Sequence, residues 1–156
     1  MKISDFLCPD AVTPDLKARN KEEVIEELVA LLVGAGAIEK KNKAKIIEVI
    51  TAREALGSTA IGQGIAIPHG KTDSVSKLVA GLGVSKKGID FDSLDGEPAY
   101  IFFILIAPQD SAGPHLKALA RVSRLLKDKY FRESLKQQTD EKAILRLIRE
   151  EDAKKP

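Results

Sequence analysis

The sequence predicts an α/β fold: a single domain with a central mixed β-sheet flanked by α-helices on both faces. Three observations carry this prediction. Two nearly continuous apolar runs, Leu78–Val84 and Tyr100–Ala107, read as strands buried on both sides. Segments with apolar residues at helical spacing precede and follow them. The chain has 156 residues, the size of one compact domain with a real core. No repeat, low-complexity stretch or linker divides it. One domain is expected over residues 1–152, with 153–156 a loose tail.

The elements follow in order. Pro9 and Pro14 break any long helix in residues 1–19, which read as short extended pieces and turns. Asn20 is a candidate N-cap, with Glu23 three residues on as in a capping box. Val24, Ile25, Leu28, Val29, Leu31 and Leu32 then form one helical face, ended by Gly34 and Gly36. A second helix covers Lys41–Leu56, with Ile46, Ile47, Val49 and Ile50 as its stripe and Gly57 as its stop.

Between the two strands, Asp95-Gly96 is a turn signal, and Ile89–Pro98 suggests a hairpin-like return. Pro108 ends the second strand. A loop, Gln109–Gly113, leads to Pro114 at the first position of a helix with Leu116, Leu119, Val122 and Leu126 on one face. Tyr130–Gln137 either continues it or forms a separate short helix. Thr139 caps a last helix with Ile144, Leu145, Leu147 and Ile148 inward.

Composition excludes several classes. With 44% hydrophobic and 31% charged residues, the chain is neither disordered nor fibrous. Net charge is +2, from 25 basic and 23 acidic side chains, and no block of like charge builds a basic face, so no nucleic-acid partner is expected. The lone Cys8 allows no internal disulfide and no cysteine zinc site, which fits a reducing compartment. The N-terminus lacks the apolar run of a signal peptide, and no apolar run is long enough for direct membrane insertion. A cytoplasmic protein is expected.

The chemistry centres on Gly57–Lys71, Gly-Ser-Thr-Ala-Ile-Gly-Gln-Gly-Ile-Ala-Ile-Pro-His-Gly-Lys. One of the two histidines, His69, stands there between Pro68 and Gly70. Alone it is as easily a strand-end histidine satisfied by the backbone as a nucleophile or acid–base group. Its company favours chemistry: Ser58 and Thr59 as hydroxyl donors, three glycines for close backbone approach, and Arg53 and Lys71 as cations. Each also has a plainer role, since Arg53 suits the last turn of a helix, Ser58 and Thr59 suit a turn, Lys71 suits water and Glu54 can simply face solvent.

His115 follows Pro114 at a helix start, where free N–H groups and the positive helix end favour an anion and disfavour a cationic ring. Partial exposure at a helix start is the plainer account. The glycines match neither the phosphate-binding loop nor the dinucleotide fingerprint. Two distant histidines make a poor metal site, so no metal is expected. Gly57–Gly62 lacks the elbow of a Ser–His–Asp hydrolase.

Arg53-Glu54-Ala55-Leu56-Gly57-Ser58-Thr59, then Ile61-Gly62-x-Gly64-Ile65-Ala66-Ile67-Pro68-His69-Gly70-Lys71, resembles the active-site signature of the fructose/mannitol-type IIA proteins of the bacterial phosphoenolpyruvate-dependent phosphotransferase system. Pro114-His115-Leu116, followed by Leu119-Ala120, is the second marker. The resemblance covers essentially the whole chain and is greatest to the nitrogen-regulatory IIA branch. Ala60 stands where the family usually has glycine.

The resemblance implies a phosphotransferase that carries phosphate on His69, at Nε2, with His115 and Arg53 as further active-site residues. It places Ser58 and Thr59 beside the phosphoryl group and implies no cofactor. The implied donor is a small phosphohistidine carrier protein, and the implied recipient a regulatory target protein. A IIB component is the recipient in the alternative, a transport IIA of fructose/mannitol type, and that the chain carries no fused IIB or membrane segment favours the regulatory role. A non-catalytic protein-binding module is the remaining reading.

Overall fold

The computed structural model describes residues 1–155. Its sheet has five strands: β1 (Leu7–Thr13), β2 (Ile65–Ala66), β3 (His69–Thr72), β4 (Val79–Ile89) and β5 (Ala99–Pro108). β4 and β5 are antiparallel and form the middle. β1 runs parallel to β4 at one edge, and β2 and β3 run parallel to β5 at the other. The sheet is therefore mixed, as expected.

β5 shows why the fold needs cover on both faces. Every residue from Ile101 to Ala107 is buried. Ile101, Phe103 and Leu105 point to one side and Phe102, Ile104 and Ile106 to the other, as the two-residue strand period requires. The first side is covered by α3 (Ala112–Leu125), α4 (Lys129–Gln137) and α5 (Glu141–Ala153), through residues such as Val122, Phe131 and Ile144. The second is covered by α1 (Lys21–Gly34) and α2 (Lys43–Ala55), through Leu28, Leu32, Ile46 and Ile50.

Several local expectations need correction. Residues 7–13 are a full strand despite Pro9, because β1 is an edge strand and its register with β4 slips between Leu7 and Val12. β4 continues past Val84 to Ile89 before the return to β5. Asn20 does cap α1 by accepting the Glu23 N–H at 2.9 Å, but the Glu23 carboxylate reaches back to the N–H of Arg19, not of Asn20. Asp140, not Thr139, caps α5.

α3 begins earlier than Pro114. Its cap is Ser111, and Pro114 occupies the third helical position, where a missing N–H still leaves no bond unmade. Its buried stripe is His115, Ala118, Val122 and Leu125, while Leu116 is 69% exposed. A histidine inside the stripe disguised it, and Leu116 made a better apolar pattern on the wrong face. α4 is a separate helix, capped by Asp128. The tail expected from residue 153 is partly ordered: α5 reaches Ala153, and Lys155 bonds back to Asp152 and Glu151. Pro156 lies outside the described residues.

Gly81 sits opposite the slip in β1. A Cβ there would lie 2.9 Å from the carbonyl oxygen of Ala11, which is backbone and cannot swing aside. We expect Gly81→Ala to destabilise the fold by about 1–3 kcal/mol through overpacking. A urea titration should show a lower midpoint with an unchanged slope. An unchanged midpoint would mean that β1 yields at its bulge.

Candidate active site

Three elements converge on one open cleft of about 600 Å³. The first is the broken edge strand. β2 and β3 pair with β5 in a single register, Ile65 opposite Ile101 and His69 opposite Leu105, interrupted only by Ile67-Pro68. Proline is tolerated on this edge, and the Pro68 carbonyl still accepts the Leu105 N–H at 3.0 Å. His69 is thereby held at the first position of β3.

The second element is the end of α2. Gly70 allows it to lie close, since a Cβ there would come within 2.8 Å of the Val49 side chain. Arg53, in the last turn, reaches the cleft and donates through Nη1 to the Gly57 carbonyl at 2.8 Å. The third is the first turn of α3, which brings in His115. Lys71, Gln109, Leu116 and Leu119 complete the rim.

The His69 ring is fixed by its backbone. Its Nδ1 lies 2.8 Å from the Ile67 carbonyl oxygen. A carbonyl only accepts, so Nδ1 carries the proton and Nε2 keeps its lone pair. Burial lowers the ring's pKa, the Ile67 hydrogen bond opposes that shift, and the Arg53 cation adds to it.

His115 packs against it edge-on, with ring centroids 5.5 Å apart and planes at 76°. The residue is 6% exposed, and its Nε2 is a buried side-chain polar atom with no partner. Burial first, then the His69 ring and Lys71, push its pKa down to about 4. Both rings are neutral near pH 7, and a neutral imidazole is the form that can act as a nucleophile. A buried nitrogen without a partner among the described residues, beside an oriented neutral ring, fits a site that receives an oxyanion.

Ser58 and Thr59 do not line the cleft. The Ser58 hydroxyl donates to the Phe91 carbonyl at 2.7 Å and accepts from the Ala60 N–H at 3.0 Å. The Thr59 hydroxyl donates to Glu54, whose other oxygen accepts the Thr59 N–H at 3.2 Å. Glu54 does not face solvent: it is 6% exposed and pairs with Lys21 at 3.1 Å. Ala60 is fully buried with no left-handed backbone, so its methyl fills core space without strain.

The structure brings Arg53, His69 and His115, singled out in the sequence, to one cleft, and adds Gln109 to its lining and Glu54 behind it. For Glu54 a signal existed. A carboxylate one position after Arg53 on a helix points elsewhere than the arginine, and the next residues offer N–H and hydroxyl donors.

Because His115 is neutral in the fold down to about 4 but titrates near 6.5 when unfolded, the unfolded chain binds the extra proton between these values. Stability is therefore lost as pH falls through that window. We expect the urea midpoint of the wild type to drop more between pH 7 and pH 5 than that of His115→Gln. Equal drops would place His115 in a solvated setting.

The chain resembles known proteins over most of its length. The family described as "Phosphoenolpyruvate-dependent sugar phosphotransferase system, EIIA 2" matches residues 5–151. A nitrogen regulatory protein of Bradyrhizobium diazoefficiens is 38% identical over 148 residues, 95% of this chain and 95% of that one. The fructose-specific EIIABC component of Bacillus subtilis is 40% identical over 152 residues, 97% of this chain but 24% of that longer protein. The crystal structure of nitrogen regulatory protein IIA-Ntr from Neisseria meningitidis superposes with a TM-score of 0.84 at 30% identity, covering 94% of this chain and 98% of that one. The chain belongs to the EIIA 2 family of the phosphoenolpyruvate-dependent sugar phosphotransferase system and is a IIA-type phosphocarrier.

Proposed function

We propose that His69 accepts a phosphoryl group on Nε2 from a small phosphohistidine carrier protein, and that a regulatory target protein reads the phosphorylation state. The observation that carries the chemistry is the His69 Nδ1–H bond to the Ile67 carbonyl, which leaves Nε2 as the basic nitrogen of a ring packed against that of His115. The likeness to nitrogen regulatory proteins, matched over nearly their whole length, supports the regulatory role.

In the transfer, the Nε2 lone pair forms a bond to phosphorus as the donor's N–P bond breaks. That electron pair returns to the donor's ring. Nδ1 keeps its proton, so the His69 ring gains positive charge that the Ile67 carbonyl faces. The reaction is mainly one of positioning and charge stabilisation. Arg53 turns from the Gly57 carbonyl towards the equatorial oxygens, and His115 donates to them from Nε2. Ser58 and Thr59 act by holding the loop, because their hydroxyls are already bonded outside the cleft.

A second reading has the same chemistry with a different recipient. The 40% identity to a fructose-specific EIIABC component favours a sugar-system IIB partner. Restored fructose or mannitol uptake in a strain lacking its own IIA would select this reading. Neighbouring genes also separate the two.

Mixing with the phosphorylated carrier protein should add one phosphoryl group, mapped by mass spectrometry to His69, and His69→Ala should abolish it. Undiminished labelling of that variant would overturn the assignment. Arg53→Ala should slow transfer by about 10²–10³-fold, as for loss of one oxyanion donor. Its unfolding free energy should change by less than about 1 kcal/mol, since the side chain is half-exposed. Comparable losses of rate and stability would make Arg53 structural.

A further inference from the structure

Behind the cleft lies a buried polar chain that the transfer chemistry does not itself use. It starts at Lys21, the first residue of α1, whose ammonium sits 4.7 Å from the Phe91 ring centroid and pairs with Glu54 and with Asp92. Glu54, at the end of α2, has a side chain only 3% exposed. Its two oxygens take both donors of Thr59, the N–H and the hydroxyl. The Thr59 carbonyl in turn accepts the N–H of Ile67 at 3.4 Å, and the Ile67 carbonyl receives the His69 Nδ1–H. No other side chain hydrogen-bonds to Thr59 among the described residues.

We propose that Glu54, braced by Lys21, is a positioning residue for phosphoryl transfer: by gripping Thr59, whose carbonyl holds the Ile67 N–H, it fixes the backbone at Ile67, and the carbonyl of that residue orients His69 and sets its tautomer. A carboxylate is suited to this, because it accepts two hydrogen bonds from one residue and has no donor to compete with. The buried charge is tolerated because Lys21 and Thr59 satisfy it. The placement also explains why Arg53 and Glu54 are adjacent. One helix end sends a cation to the phosphoryl oxygens and an anion to the loop that holds the nucleophile.

The inference rests on His69 being the acceptor, but its main test does not require transfer. Long-range proton–nitrogen NMR of the unphosphorylated protein reads the His69 tautomer directly. The wild type should show a single Nδ1–H form. Glu54→Gln and Thr59→Val should show a mixture, and Thr59→Ser, which keeps the hydroxyl, should return to the wild-type pattern. With the phosphorylated carrier protein as donor, Glu54→Gln and Thr59→Val should lower kcat about ten- to a hundredfold while KM for the donor stays within about twofold.

A folded Glu54→Gln protein with wild-type tautomer and kcat would overturn the proposal. Should Glu54→Gln not fold, the contrast between Thr59→Val and Thr59→Ser decides: equal spectra and rates in the two would overturn it. A wild type that takes no phosphoryl group would defeat the proposed function, while the tautomer spectra would still decide whether Glu54 positions His69.

Discussion

The hydrogen bond from His69 Nδ1 to the Ile67 carbonyl, 2.8 Å long, is the contact on which the site depends. It can form only because the edge strand is interrupted in register. Ile65 and Ala66 pair with β5, Ile67 leaves the ladder, and the same register resumes at the Pro68 carbonyl and His69. The sheet thus supplies a fixed Cα for the histidine and a carbonyl close enough to hold its ring. An imidazole on a mobile loop would sample both tautomers and many orientations. Here a net hydrogen bond of about 1 kcal/mol is backed by a rigid frame, so little entropy remains to be lost when a group binds at Nε2.

The electrostatics around that bond are consistent with a site made for an anion. His69 and His115 are each kept neutral chiefly by burial, and each is further discouraged from protonation by a neighbouring cation or ring. Arg53 and Lys71 line the cleft, and among the described residues no carboxylate does. Glu54, next to Arg53 in the chain, is turned away into the loop and paired with Lys21. In the proposed transfer a phosphoryl group would give the His115 Nε2 a partner and offer the Arg53 guanidinium an anion in place of the Gly57 carbonyl.

Much of this was legible in the sequence. The long apolar runs marked β4 and β5, and the spacing of Val24, Ile25, Leu28 and Leu32 marked α1, because burial on both faces or on one stripe writes a period into the chain. The Gly-Ile-Ala-Ile-Pro-His string and Arg53 marked the candidate site. β2 and β3 stayed hidden, since strands of two and four residues carry too little period to read. The face of α3 was misread because the site itself takes up a buried position: His115 stands where an apolar residue would have shown the stripe. The hydroxyls of Ser58 and Thr59 looked available because a sequence shows donors but not their acceptors. Only the fold reveals Phe91 and Glu54 waiting for them.

In the proposed transfer, backbone geometry selects the nitrogen that carries the phosphoryl group. The most direct measurement is the isomer of the phosphohistidine formed, assigned by phosphorus–proton and nitrogen NMR on the phosphorylated protein. Phosphorus should lie on Nε2 of His69 with Nδ1 still protonated. Phosphorus on Nδ1 of His69, or on His115, would contradict it.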